Sequence, residues 1–185
     1  MSTYQPGADL DDERPHLDFF ESGDGIPSRT VLARREVLED HEFDERFEVR
    51  EDPHLWARVL EEDDVDVEKI NEALATKRRR DGSITADPDR CYRYELLEIS
   101  DLAARSDEFA DHFEARRAAT HYRHGRRLLS EGDSPGARKH LLEAVVAGHR
   151  DAKAFVLLGV ACLPAGQQWA KQVLDQARGW IHARR

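Results

Sequence analysis

The segment PSRTVLARREVLEDHEFDERFEVREDPHLWARVL, residues 27–60, decides how the chain is read, and its centre is Glu51-Asp52-Pro53-His54-Leu55-Trp56. Leu55, Trp56, Val59 and Leu60 recur at helical spacing, which puts them on one face of a helix over residues 53–61. Pro53 suits the first helical position, where a missing N–H costs nothing, and Asp52 just before it suits the N-cap. Such a start fixes the Asp52 carboxylate in direction and turns Trp56 inward. Capping alone is a sufficient role for an Asp-Pro pair, and a carboxylate held in this way is also placed to take a proton.

Working outward, RTVLARR reads as a short strand from its β-branched and apolar content, followed by a brief helix over residues 35–40 and a loop around Phe43-Asp44-Glu45. Residues 1–25 mix Asp and Glu with Pro and Gly and read as an acidic flexible leader, with Leu17-Asp18-Phe19-Phe20 as its apolar anchor. Residues 67–80 fit a helix through Val67, Ile70, Ala73 and Leu74 or a strand over 75–79. Beyond the Gly82-Ser83 break the pattern is helical. Asp87-Pro88-Asp89 leads into a stripe of Leu96, Leu97, Ile99, Leu102 and Ala103. Gly125 and Gly159 stand 159 − 125 = 34 residues apart, with Leu128, Gly132, Ala137, Leu141 and Ala144 between them. Phe155, Leu158 and Gly159 open a second unit, so the tail resembles a tetratricopeptide helix pair. The expected fold is mainly α with a small α/β portion: leader 1–25, a strand and helix segment 26–90, and a helical tail 91–185.

Lys+Arg number 28 against 38 Asp+Glu, for a net charge of −10, which leaves no basic footprint for a nucleic-acid backbone. Lysines are few (Lys69, Lys77, Lys139, Lys153, Lys171) among many acids, a balance suggestive of a salt-adapted proteome. Cys91 and Cys162 lie in different contexts, so neither a disulfide framework nor a multi-cysteine zinc site is expected. No apolar run reaches the roughly 20 residues that cross a bilayer. The start of the chain lacks the basic-then-apolar order of a secretory signal. A cytoplasmic protein is expected, with membrane association at most peripheral, at the inner face, through a helical face carrying Trp169, Val173, Ala177 and Trp180 beside Lys171, Arg178 and Arg185.

Three Asp-x-Asp tripeptides, Asp9-Leu10-Asp11, Asp64-Val65-Asp66 and Asp87-Pro88-Asp89, have the spacing that holds Mg²⁺ against a diphosphate, but a chain this acidic is expected to contain them as solvated turns. His121 and His124 lie three apart on one helical face, without an obvious third ligand, and read as partly exposed helix positions. Lys77-Arg78-Arg79-Arg80 is the densest basic run. Arg79 and Arg80, with Ser83 behind them, are candidates to meet a phosphate-bearing ligand, against the commoner reading of a solvated face.

In order, Arg34-Arg35-Glu36, Phe43-Asp44-Glu45, Glu51-Asp52 and Leu55-Trp56, followed by ATKRRRDGSIT, resemble the acceptor-side half of a family 2 glycosyltransferase of the GT-A fold, over residues 26–90. The resemblance implies inverting transfer of a sugar from a nucleotide sugar to a hydroxyl of a glycan or lipid-linked acceptor. It makes Asp52 the general base and Glu51 its neighbour, and it implies a divalent Mg or Mn ion for the intact fold, with no ligands identifiable in this chain. The strand-rich, nucleotide-binding half of that fold has no counterpart among these residues, so the isolated chain is expected to have no transferase activity. The rival expectation is a non-catalytic helical module that binds a protein partner through the tetratricopeptide-like tail.

Overall fold

A computed structural model describes residues 2–3, 14–23, 26, 28–62, 65, 67–68, 70, 72, 74–77, 83–84 and 87–163. Among these the chain is mainly helical, as expected. The helices are α1 (Pro15–Ser22), α2 (Arg35–Glu39), α3 (Glu51–Leu60), α4 (Pro88–Arg105), α5 (Asp107–Glu131), α6 (Ser134–Val146) and α7 (Ala152–Cys162). The sole ladder among the described residues pairs β1 (Ser2–Thr3) with β2 (Thr76–Lys77), antiparallel, with Ser2 opposite Lys77 and Thr3 opposite Thr76. Contacts divide the chain into two compact units, Met1–Arg116 and Arg117–Arg185.

Two expectations for the first unit are corrected. The leader contains a helix: Leu17, Phe19 and Phe20 bury their side chains with Leu55, Trp56, Val59 and Leu60 of α3 and with Ile99, Leu102 and Phe109. Three apolar residues within four positions are enough to dock one turn of chain against an amphipathic neighbour. The RTVLARR strand does not form. Ser28–Thr30 is a 3-10 turn, and residues 31–34 run on without a ladder partner among the described residues. Val31 touches the core while Leu32 is fully exposed. Their alternation is that of a strand, yet β-branched content only extends a backbone, and a strand also needs a neighbour to accept its hydrogen bonds.

The helix signals served better downstream. Asp87 caps α4 by accepting from the N–H groups of Asp89 and Arg90, with Pro88 in the first turn. Ile99 and Leu102 are wholly buried, although Leu97 faces solvent and Glu98 is buried in its place. Residues 67–70, 72 and 74 show no helix where described, and the strand alternative is reduced to β2.

In the second unit Leu128, Leu129, Ala137, Leu141, Ala144, Ala154, Leu157 and Ala161 form the core. α6 is capped by Asp133 and α7 by Asp151. The inward face of α7 is Ala154, Leu157 and Ala161, whereas Phe155 is half exposed. The two glycines of the 34-residue spacing are not equivalent. A Cβ on Gly125 would lie 2.9 Å from Leu141 Cγ, 3.0 Å from Leu141 N and 3.2 Å from Ala137 O, so only glycine lets α5 and α6 approach this closely. At Gly159 an added Cβ meets no atom within 4 Å among the described residues. Two of the atoms facing Gly125 are backbone and cannot yield separately from the helix. Gly125→Ala is therefore expected to destabilise by about 1–2 kcal/mol, overpacking outweighing the gain in helix propensity. Gly159→Ala is expected to stabilise by about 0.5–1 kcal/mol. Urea midpoints followed by circular dichroism check both signs.

Candidate functional site

α3 begins at Glu51, two residues before the position that Pro53 suggests, and its N-cap is Arg50. Arg50 has φ 74° and ψ 11°, the one non-glycine residue at positive φ among the described residues. A left-handed L-residue costs about 1–2 kcal/mol, so something must hold it there. The holding groups come from two other helices. Arg50 Nε donates to Glu98 Oε2 of α4 at 2.5 Å, and Nη1 donates to the carbonyl of Gly23, just past α1, at 3.3 Å. The Arg50 and Glu98 side chains are 17% and 4% exposed, so the pair is nearly dry. Burial works against the Arg50 charge, but the Glu98 and Glu95 carboxylates override it and raise its pKa. Burial pushes the Glu98 carboxyl above its ordinary value against the pull of Arg50.

This frame sets Glu51 and Asp52 side by side in the first turn of α3, both half-buried. Asp52 does not cap its own helix, because it lies inside the first turn rather than before it. Its two oxygens are taken up by Ser28 instead: Oδ1 accepts the hydroxyl at 2.6 Å and Oδ2 accepts the backbone N–H at 3.2 Å. The carboxylate is fixed in direction, as expected, by a different donor.

On the same helix, His54 is fully buried, stacked on Phe47 at 4.4 Å between ring centroids. Its Nε2 lies 2.9 Å from Asp101 Oδ2, and its Nδ1 has no partner among the described residues. A protonated ring would leave a buried N–H without an acceptor, and burial accordingly lowers the pKa of His54 against the pull of Asp101. Since the Asp101 carboxylate only accepts, the Nε2 contact is one in which the ring donates. Asp101 also accepts from Arg46 Nη2 at 2.6 Å and Arg105 Nε at 2.7 Å, hydrogen bonds that outweigh burial and hold its carboxyl far below the usual range. Arg46 further grips Asp44 through both carboxylate oxygens and holds its pKa down at about 2. Asp44 closes the loop on itself by accepting the Arg46 N–H. The Phe43-Asp44-Glu45 loop is thus tied to α4 by charge.

The pH dependence follows in sign. As pH falls through 6.5 the unfolded chain protonates His54 before the folded chain does, so stability is whole above that value and is lost below it. A second loss comes further down, from 3.8 toward 2, as Asp44 is protonated. His54→Gln is expected to be less stable than the parent at pH 7.5, with the gap narrowing by pH 5. Urea midpoints of the two proteins across that range measure it.

Among the described residues around Asp52, the divalent ion that the resemblance implies finds no donor set. Asp52 is engaged by Ser28, and the oxygens of the Asp44, His54 and Asp101 group are engaged by arginines. A cation there would have to displace guanidinium groups. Asp9-Leu10-Asp11 lies outside the described residues, as do Asp64 and Asp66. So do Arg79, Arg80 and the Trp169 to Trp180 face, while Ser83 is exposed. His121 and His124 are buried rather than partly exposed. Sequence reasoning missed Ser28, Arg50, Glu98 and Asp101. Glu98 carried one signal, a carboxylate beside Ile99 and four residues before Leu102, inside the buried stripe of α4.

Comparison of the chain with protein-family models, with curated proteins and with solved structures finds no match. No helix among the described residues is long and apolar enough to cross a membrane.

Proposed function

We propose that the chain is the acceptor-side portion of a family 2 glycosyltransferase, in which Asp52 is the general base and Glu51 its neighbour. The observation that carries the reading is the strained start of α3. A left-handed arginine is maintained by a buried ion pair directly before Glu51-Asp52, and backbone strain that the surroundings over-determine gathers at functional sites. A sugar hydroxyl is a poor nucleophile. As its oxygen bonds to the anomeric carbon, its proton passes to Asp52 and the nucleotide diphosphate leaves with the bonding electron pair, inverting that carbon. Ser28 fixes the direction in which Asp52 presents its oxygens. The donor belongs to a strand-rich nucleotide-binding portion, and a nucleotide-sugar donor places the work in the cytoplasm.

The reading is tested on the coding DNA upstream of Met1. Roughly 400 bases, the order of one domain, are expected to encode parallel-strand runs and a strand-borne Asp-x-Asp. The joined product is expected to transfer sugar from a nucleotide sugar where the chain alone does not, and a joined product without transfer contradicts the reading. A second reading, a helical module that binds a protein partner, is favoured by Leu142, Val146, Phe155 and Val156, which stand exposed on α6 and α7. It predicts that Asp52→Asn leaves function intact while Leu128→Ala abolishes it.

A further inference from the structure

In the second unit α5 and α6 bring together three groups that the transferase reading does not use. His121 Nδ1 lies 3.3 Å from His140 Nδ1 and 2.9 Å from Glu143 Oε2, and His140 Nδ1 lies 3.4 Å from the same oxygen. We infer that these three side chains are ligands of a divalent transition-metal ion of the zinc class. A proton on each Nδ1 would satisfy the two edges to Glu143 Oε2 but would set two N–H groups against each other across the 3.3 Å edge between the rings, whereas one cation answers all three edges. Donor atoms each about 2.0–2.1 Å from a tetrahedral ion stand about 3.3 Å apart, and the three edges bracket that value. Two imidazoles with one carboxylate is a donor set such ions accept, unlike the oxygen-only sets of magnesium and calcium.

The local structure supports the same assignment. His121 and His140 are nearly buried at 7% and 13% side-chain exposure, while Glu143 is 40% exposed. The triangle is therefore closed by protein on the imidazole side and open toward solvent on the carboxylate side, where a water would complete four-coordination. His140 and Glu143 are three apart on α6 and share a face. His124 sets its ring edge-on against His140, with centroids 4.5 Å apart at 85°, which fixes the plane of that imidazole. In the first unit, Asp44, His54 and Asp101 also converge, but Arg46 and Arg105 already supply the positive charge. Glu143 instead pairs with the two imidazoles. His121 precedes Gly125 by one helical turn and His140 adjoins Leu141, so the ion would staple α5 to α6 beside their closest approach.

The test is titration of the full chain with Zn²⁺ and with Co²⁺. Expected are one equivalent of saturable zinc, the intense visible absorption of four-coordinate cobalt, and a thermal midpoint that zinc raises. His140→Asn and Glu143→Gln, each shown to fold by circular dichroism, are expected to weaken zinc binding by at least about tenfold and to abolish the cobalt band. His112→Gln, in the other unit, leaves both unchanged. With nine histidines in the chain, zinc uptake alone does not support the site. The inference is overturned by absence of saturable binding, or by binding that survives both substitutions, which assigns the metal to other histidines.

Discussion

Arg50→Ala is expected to lower the stability of the first unit by about 3–5 kcal/mol, because it leaves the Glu98 carboxylate buried without its partner. The effect is larger than the loss of an exposed ion pair, since Glu98 cannot turn to water from the middle of α4. The Gly23 carbonyl loses its donor in the same step, loosening the end of α1 from the start of α3. Two companions separate the sources. Arg50→Gly deletes the same ion pair but accepts the left-handed backbone freely, so it is expected to be about 1 kcal/mol more stable than Arg50→Ala. Arg50→Met with Glu98→Leu removes both charges at similar volume and is expected to recover most of the loss. Equilibrium urea denaturation of the four proteins measures the differences. An Arg50→Ala loss under about 1 kcal/mol would mean that the pair is wet and that something else holds the helix start.

The same residues show what the sequence could and could not disclose. The apolar face of α3, the brief α2 and the Asp87-Pro88 start of α4 were readable, because spacing and capping are local properties. The positive φ of Arg50 was not, since an arginine carries no compositional mark of a left-handed backbone and the cause lies in Glu98, 48 positions away. Pro53 misplaced the helix start for a related reason: a proline is tolerated at the third helical position as well as the first, where its missing N–H has no intrahelical partner either. The strand at RTVLARR failed because extension is local and pairing is not. His121 was noticed beside His124 alone. The face it shares with His124 is visible in a spacing of three, but its partner atoms on His140 and Glu143 are brought round by the turn between α5 and α6. Glu51 and Asp52 were legible as a dipeptide at a helix start, and Ser28, which orients Asp52, was not.

The central claim is that the Asp52 carboxylate takes a proton, and Asp52→Asn tests it in the chain joined to the proposed nucleotide-binding portion. Asparagine keeps an oxygen to accept from Ser28 and fills nearly the same volume, so the fold is expected to change by no more than about 1–1.5 kcal/mol. It cannot take the proton of an attacking hydroxyl, so kcat is expected to fall by about 10²–10⁴-fold with KM for the nucleotide sugar little altered. Ser28→Ala, which frees the carboxylate to turn, is expected to lower kcat less, and Glu51→Gln less than Asp52→Asn. The measurement is the rate of sugar transfer by Asp52→Asn beside that of the parent. A loss of that size in a folded protein is the result this account predicts, and transfer at the parental rate would contradict it.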